Sequence, residues 1–154
     1  DDPSAKLILA GDGQQAARLR ALAIELGIKD SVEFPGWVTD VAPLLESASF
    51  FVLPSRDEPF GIAVLEAMAS GIPIISTRTH GPSEILDDTT AFLCAVNDSD
   101  DLLRVMREAV GAPEDAYNRA INASELYRQR YNVDVVLPKL LALYQDMLSL
   151  DNAK

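Results

Sequence analysis

Short apolar runs recur along this 154-residue chain, each followed by a turn and a stretch of helical periodicity. Lys6 to Ala10, Val32 to Phe34, Phe50 to Leu53, Ile72 to Thr77 and Ala91 to Ala95 read as strands. Between them, Gln14 to Leu26 sets Leu19, Leu22, Ala23 and Leu26 on one helical face and stops at Gly27. Val41 to Ser47 is a short helix, a longer one begins near Gly61, and another short one opens at Pro82. Strands separated by helices pair in parallel through crossovers, and a parallel sheet is covered by helices on both faces. The pattern therefore predicts an α/β fold built on a doubly wound parallel sheet.

After Ala95 the periodicity is wholly helical. Asp98 to Val110 carries Leu102, Leu103, Met106, Ala109 and Val110 at helical spacing with Ser99 as its cap, and Gly111-Ala-Pro113 breaks it. Helices from Pro113 to about Tyr131 and over 133–150 complete the chain. The last presents a broad apolar face from Val136 to Leu148, either packed within the domain or left for association. With 48% hydrophobic residues the chain supports one sizeable core, so residues 1–154 are read as one domain.

Charge and cysteine content exclude some classes of function. The formal charge of -11 argues against nucleic acid as a partner, because phosphate backbones are held by clustered Lys and Arg. Cys94 is the only cysteine. It can form no intrachain disulfide, and within the apolar run Ala91 to Val96 it reads as a small core residue. No stretch of about 20 apolar residues is present.

The chemistry concentrates in Glu58-Pro-Phe-Gly-Ile-Ala-Val-Leu-Glu66, directly after the strand closed by Pro54 and Ser55. In an open α/β sheet the carboxyl ends of the strands are the ligand edge. A helix starting near Gly61 offers first-turn N–H groups that have no intrahelical partner and lie at the positive end of the macrodipole, a seat for phosphate. Glu58 lies just outside that helix and Glu66 within it, on the order of 10 Å apart at about 1.5 Å per helical residue. Carboxylates flanking a diphosphate accept hydrogen bonds from sugar hydroxyls at its two ends. The structural alternative is that Glu58 merely favours the helix dipole of an apolar, sheet-covering helix. For Glu66 that alternative leaves a charge inside a helix that looks buried, which is costly without a partner.

Other constellations are weaker. Gly11-Asp-Gly13 follows a strand, but Ala16 stands where a dinucleotide fingerprint requires its third glycine. His80 is the only histidine, so a metal site or a Ser-His-Asp triad has little to draw on, and it reads as a loop residue. Arg56 and Arg78 follow strand ends and are the cations placed to meet a carboxylate or phosphate.

The two glutamates with seven residues between them resemble the paired-glutamate motif of retaining, family-4-type (group 1) glycosyltransferases of the GT-B fold. Leu7-Ile-Leu-Ala-Gly11-Asp-Gly13, Val32-Glu-Phe-Pro-Gly36-Trp-Val38, Pro54-Ser55, Glu66-Ala-Met-Ala-Ser-Gly71-Ile-Pro73 and Gly81-Pro-Ser-Glu84 are similar to that family's landmarks, in order. The resemblance implies the Rossmann-like C-terminal, donor-nucleotide half of such an enzyme, which moves a hexose from a nucleotide-sugar donor to a glycan or lipid acceptor. It implies that Glu58 meets the transferred sugar as the catalytic carboxylate, that Phe60, Gly61 and Ile62 present amides to sugar and diphosphate, and that Glu66 holds the ribose. Val38 and Asp40 would lie against the base. No metal or other cofactor is implied. The setting implied is the cytoplasm, in polysaccharide biosynthesis, with contact of the full-length protein with a membrane surface left open.

The resemblance also implies what lies outside this stretch. The family's domain opens with a strand carrying a Gly-Arg pair and, beyond it, a Lys, whose charges stabilise the departing diphosphate; neither occurs here. The acceptor-binding domain is likewise expected elsewhere. A chain without those cations is expected to be inactive alone, since such electrostatic terms are commonly the largest in catalysis. In a sheet of order 3-2-1-4-5-6 the absent strand is central, so its neighbours are expected to show unpaired edges, open to self-association. The competing readings are a noncatalytic α/β interaction module and a sugar-nucleotide epimerase-like domain.

Overall fold

A computed structural model of the chain describes residues 4–151, so the one-domain reading of 1–154 reaches beyond the described residues at both ends. The contacts divide after Val41 into two compact units. In the first, β1 (Leu7–Ala10) leads through α1 (Ala16–Glu25) and a 3-10 turn at Lys29–Ser31 to β2 (Val32–Gly36). The strands pair in parallel, Leu7 opposite Val32 and Ile8 opposite Glu33, with a shift of register before Ala10 meets Gly36. Gly27 ends α1 with a positive φ of 70°, and its N–H and that of Ile28 return to Ile24 and Ala23 carbonyls, satisfying the last turn. Of the apolar face expected on α1 only Ala23 is buried, whereas Leu19 and Leu22 remain 40% and 43% exposed.

The second unit holds α2 (Ala42–Ser47), β3 (Phe51–Leu53), α3 (Ile62–Ser70), β4 (Ile74–Thr77), α4 (His80–Ile85), β5 (Phe92–Cys94), α5 (Ser99–Gly111), α6 (Pro113–Arg130) and α7 (Val133–Asp151). Its sheet is parallel, in the order β3-β4-β5, with Ile75 between Val52 and Phe92. The central strand β4 is buried along its length, as expected for a strand covered on both faces. Ile75, Phe92, Cys94, Val105, Ala109 and Ala116 form the core beneath α5 and α6. Cys94 is fully buried there, and desolvation raises its thiol above the ordinary cysteine range. Ala116, Ala120 and Ala123 line the buried side of α6, small enough for it to pack closely on its neighbours, α3 and α5 among them.

Two helix starts differ from expectation. Asp98, not Ser99, caps α5: its Oδ1 accepts the N–H groups of Asp100 and Asp101 at 3.1 and 2.9 Å. And α4 begins two residues before Pro82, so His80 is its first residue rather than part of a loop, its Nδ1 lying 3.3 Å from Glu84 Oε1 on the exposed side.

Each unit holds its own parallel ladder, β1 beside β2 in the first and β4 between β3 and β5 in the second. Among the described strands, β1 pairs only with β2, and β3 only with β4. On α7 the apolar face stays open, with Leu137, Leu141, Tyr144 and Met147 each about half exposed. No helix among the described residues is long and apolar enough to cross a membrane.

Candidate functional site

The loop between β3 and α3 lies at the carboxyl end of the sheet. Its root is tied down by the buried hydroxyl of Thr77, at the end of β4, which donates to Ser55 O at 2.7 Å and Leu53 O at 3.3 Å. Its tip turns into α3 through Gly61, which adopts the left-handed conformation (φ 95°, ψ 50°) as the N-cap, where a side chain would be strained. The carbonyl of Gly61 accepts the N–H of Val64 at 2.9 Å. Ile62 and Ala63, as the first helical residues, have no carbonyl within α3 to donate to.

Glu58 is half buried and curls onto its own loop. Its Oε1 accepts the N–H of Gly61 at 3.0 Å and, more weakly, that of Phe60 at 3.4 Å. Two of the three amides named for the ligand, those of Phe60 and Gly61, therefore already converge on an anionic oxygen supplied by the chain itself. That satisfies the structural reading of Glu58, whose carboxylate closes its own turn at the positive end of α3.

Glu66 departs from expectation. The helix is not buried all round: Val64, Ala67 and Met68 are buried, whereas Ile62 and Glu66, one turn apart, share an exposed face. The carboxylate of Glu66 thus remains hydrated and makes no hydrogen bond or ion pair with a described residue, so no buried partner is required. Phe60 and Ile62, 53% and 65% exposed, flank the same end of α3. Glu58, Phe60, Gly61, Ile62 and Glu66 are thus brought together. Val38, half buried, and Asp40, exposed, follow β2 and belong to the first unit, apart from this group in the contact division.

The cations resolve differently. Arg78 pairs with Asp88 at 2.7 Å, and Arg56 is exposed beside the loop root. A separate cavity of about 250 Å³ opens beside β5, lined by Arg78, Asp88, Phe92, Arg104, Glu108 and Arg119 among others. Each of its arginines already meets a carboxylate, Arg104 that of Asp101 at 2.7 Å and Arg119 that of Asp115 at 2.9 Å, so its charge is largely spent internally.

Sequence reasoning missed what supports the loop from below. The N–H of Gly81 donates to Glu58 O at 2.9 Å, and a Cβ on Gly61 would rest 3.5 Å from the ring of Pro82. Gly81-Pro82 stood out as a landmark without a role; the signal was a glycine followed by a proline just past the next strand.

Comparison with known proteins gives one family. Residues 1–126 match the model of the family described as glycosyl transferases group 1. The lipopolysaccharide core biosynthesis glycosyltransferase LpsE of Rhizobium meliloti is 35% identical over 109 residues, 70% of this chain and 32% of that protein. The N-acetyl-alpha-D-glucosaminyl L-malate synthase of Bacillus anthracis is 32% identical over 145 residues, 94% of this chain and 38% of that protein. The chain thus spans 32% and 38% of the length of these two relatives. Among solved structures, Alr3699/HepE of Anabaena, crystallised with UDP, superposes with a TM-score of 0.88 at 24% identity, over 94% of this chain and 42% of that one, a likeness of fold.

Proposed function

The chain belongs to the group 1 glycosyl transferases, and from that premise we propose that it is the donor-binding domain of a retaining enzyme that moves a hexose from a nucleotide sugar to a glycan or lipid acceptor. The fold is the Rossmann-like one of the C-terminal half of a GT-B enzyme. The observation that carries the proposal is the pair of amides at the tip of α3 converging on Glu58 Oε1. The carboxylate oxygen stands in for a phosphate oxygen. When donor arrives, the diphosphate takes the amides of Phe60, Gly61 and Ile62, and Glu58 is released to accept hydrogen bonds from the sugar hydroxyls.

Glu66 accepts the ribose hydroxyls from the exposed face of α3. It costs nothing to keep there while empty, being hydrated, and a diol presents two donors to its two oxygens. Departure of the diphosphate needs cations that this stretch does not concentrate at the loop, so turnover requires other parts of the enzyme, and the domain alone binds donor without transferring it. No metal takes part in this reading. The setting is cytoplasmic, at a membrane surface where the acceptor is a lipid.

A titration of the intact polypeptide with UDP, GDP and ADP tests this. One nucleotide binds, and Glu66→Ala weakens it roughly 10-fold, the loss of a charge-assisted bond. Binding to none of the three, with the protein folded, favours the noncatalytic module instead, in which Glu58 serves only to close its own turn.

A further inference from the structure

We propose that Gly81 is a positioning residue for the donor loop, and that the absence of a side chain there fixes where Glu58 and the amides of Phe60 and Gly61 point. This rests on the donor-site reading above. A Cβ built on Gly81 would lie 2.5 Å from the N, Cα and C atoms of Phe60, all three of them backbone. A flexible side chain could swing away, but a peptide backbone cannot. To restore ordinary carbon contact the loop would have to lift by roughly 1 Å. The φ of Gly81 is not among the positive ones, so its requirement is one of space and not of conformation. That separates it from Gly61, where the left-handed conformation sets the requirement and a Cβ would meet only ordinary contacts at 3.4 Å or more.

Two further contacts make the first turn of α4 a floor for the loop, and a third, from the end of β4, holds its root. The N–H of Gly81 donates to Glu58 O at 2.9 Å, which holds the main chain of the residue whose side chain must turn between amides and sugar. The ring of Pro82, fully buried, lies under Gly61. Thr77, one turn of chain earlier, fastens the loop root through Ser55 O. The tip is therefore braced at Glu58, Phe60 and Gly61 by two consecutive residues. A displacement of about 1 Å in groups that orient reacting atoms costs up to about 10²-fold in rate.

The test is UDP, GDP and ADP affinity of the intact polypeptide carrying Gly81→Ala, beside Gly111→Ala, whose Cβ meets nothing within 4 Å. Gly81→Ala is expected to weaken the preferred nucleotide 10-fold or more at temperatures well below unfolding, with the far-ultraviolet spectrum unchanged, while Gly111→Ala binds as the parent does. Amide exchange in the unsubstituted protein gives an independent readout: nucleotide should slow Gly81 together with Gly61. Parent-like affinity of Gly81→Ala overturns the proposal. So does protection of Gly61 that leaves Gly81 unchanged, a result that stands even where the variant fails to fold. If the parent binds no nucleotide, the donor-site reading itself falls, and this inference with it.

Discussion

At the scale of single residues, the decisive contrast is between the two glutamates. Glu58 is held by its own loop, whereas Glu66 stands on a hydrated helix face. Stability and function should therefore separate at Glu66: Glu66→Ala is expected to change unfolding free energy by no more than about 0.5 kcal/mol, because it removes no described contact, while weakening nucleotide binding. Chemical denaturation alongside titration checks both. Gly61→Ala, by contrast, should cost about 1–2 kcal/mol of stability through its left-handed backbone, visible as a lower denaturation midpoint. The sequence named both residues through their spacing and through the glycine at the helix start. It misjudged the surroundings of Glu66, because an apolar composition around a helix does not say which face a neighbour covers. Only the contacts show Val64, Ala67 and Met68 turned inward and Glu66 outward.

At the scale of elements, strand and helix alternation was legible almost throughout, since period and length separate short buried strands from helices. The boundaries were less so where several residues compete to cap. Asp98 precedes Ser99 and captures both amides of the turn, which a pattern search assigns to either. Asp98→Ala should accordingly cost about 1 kcal/mol, readable by thermal or chemical unfolding, and Ser99→Ala should cost less. The edge strand β3 carries a second expectation. The N–H of Phe51 donates to Pro73 O, so the peptide groups of Val52 face the other side, where no described strand pairs with them. Hydrogen exchange of Val52 should therefore be faster than that of Phe51, whose N–H is bonded to the residue just before β4. Equal protection of the two would mean that a further strand joins β3.

At the scale of the whole molecule, acidity shapes stability. Hydrogen bonds from the Thr89 hydroxyl and N–H, with Thr90 adding to them, hold the Asp87 carboxyl below its ordinary range, and the Ala95 N–H and Arg104 do the same for Asp101. Both groups bind protons more readily in the unfolded chain. The stability they lend is complete above about pH 4 and is lost as pH falls through their lowered folded values. Asp87→Asn should lower stability across the neutral region, where the charged carboxyl lends it, and leave stability below its lowered folded value little changed, so that the acid limb of a stability-against-pH curve becomes shallower. The division of the parallel strands into a pair and a triplet was not legible from period and spacing, which mark strands without saying which of them pair. Nor was the bracing of the donor loop by α4. It depends on a close approach of two backbones that no periodicity encodes. The most direct test of the account is amide chemical-shift mapping during titration with the preferred nucleoside diphosphate. Phe60, Gly61 and Ile62 are expected to shift first and furthest. Shifts centred instead on Arg78, Arg104 and Arg119, with the tip of α3 unmoved, would contradict it.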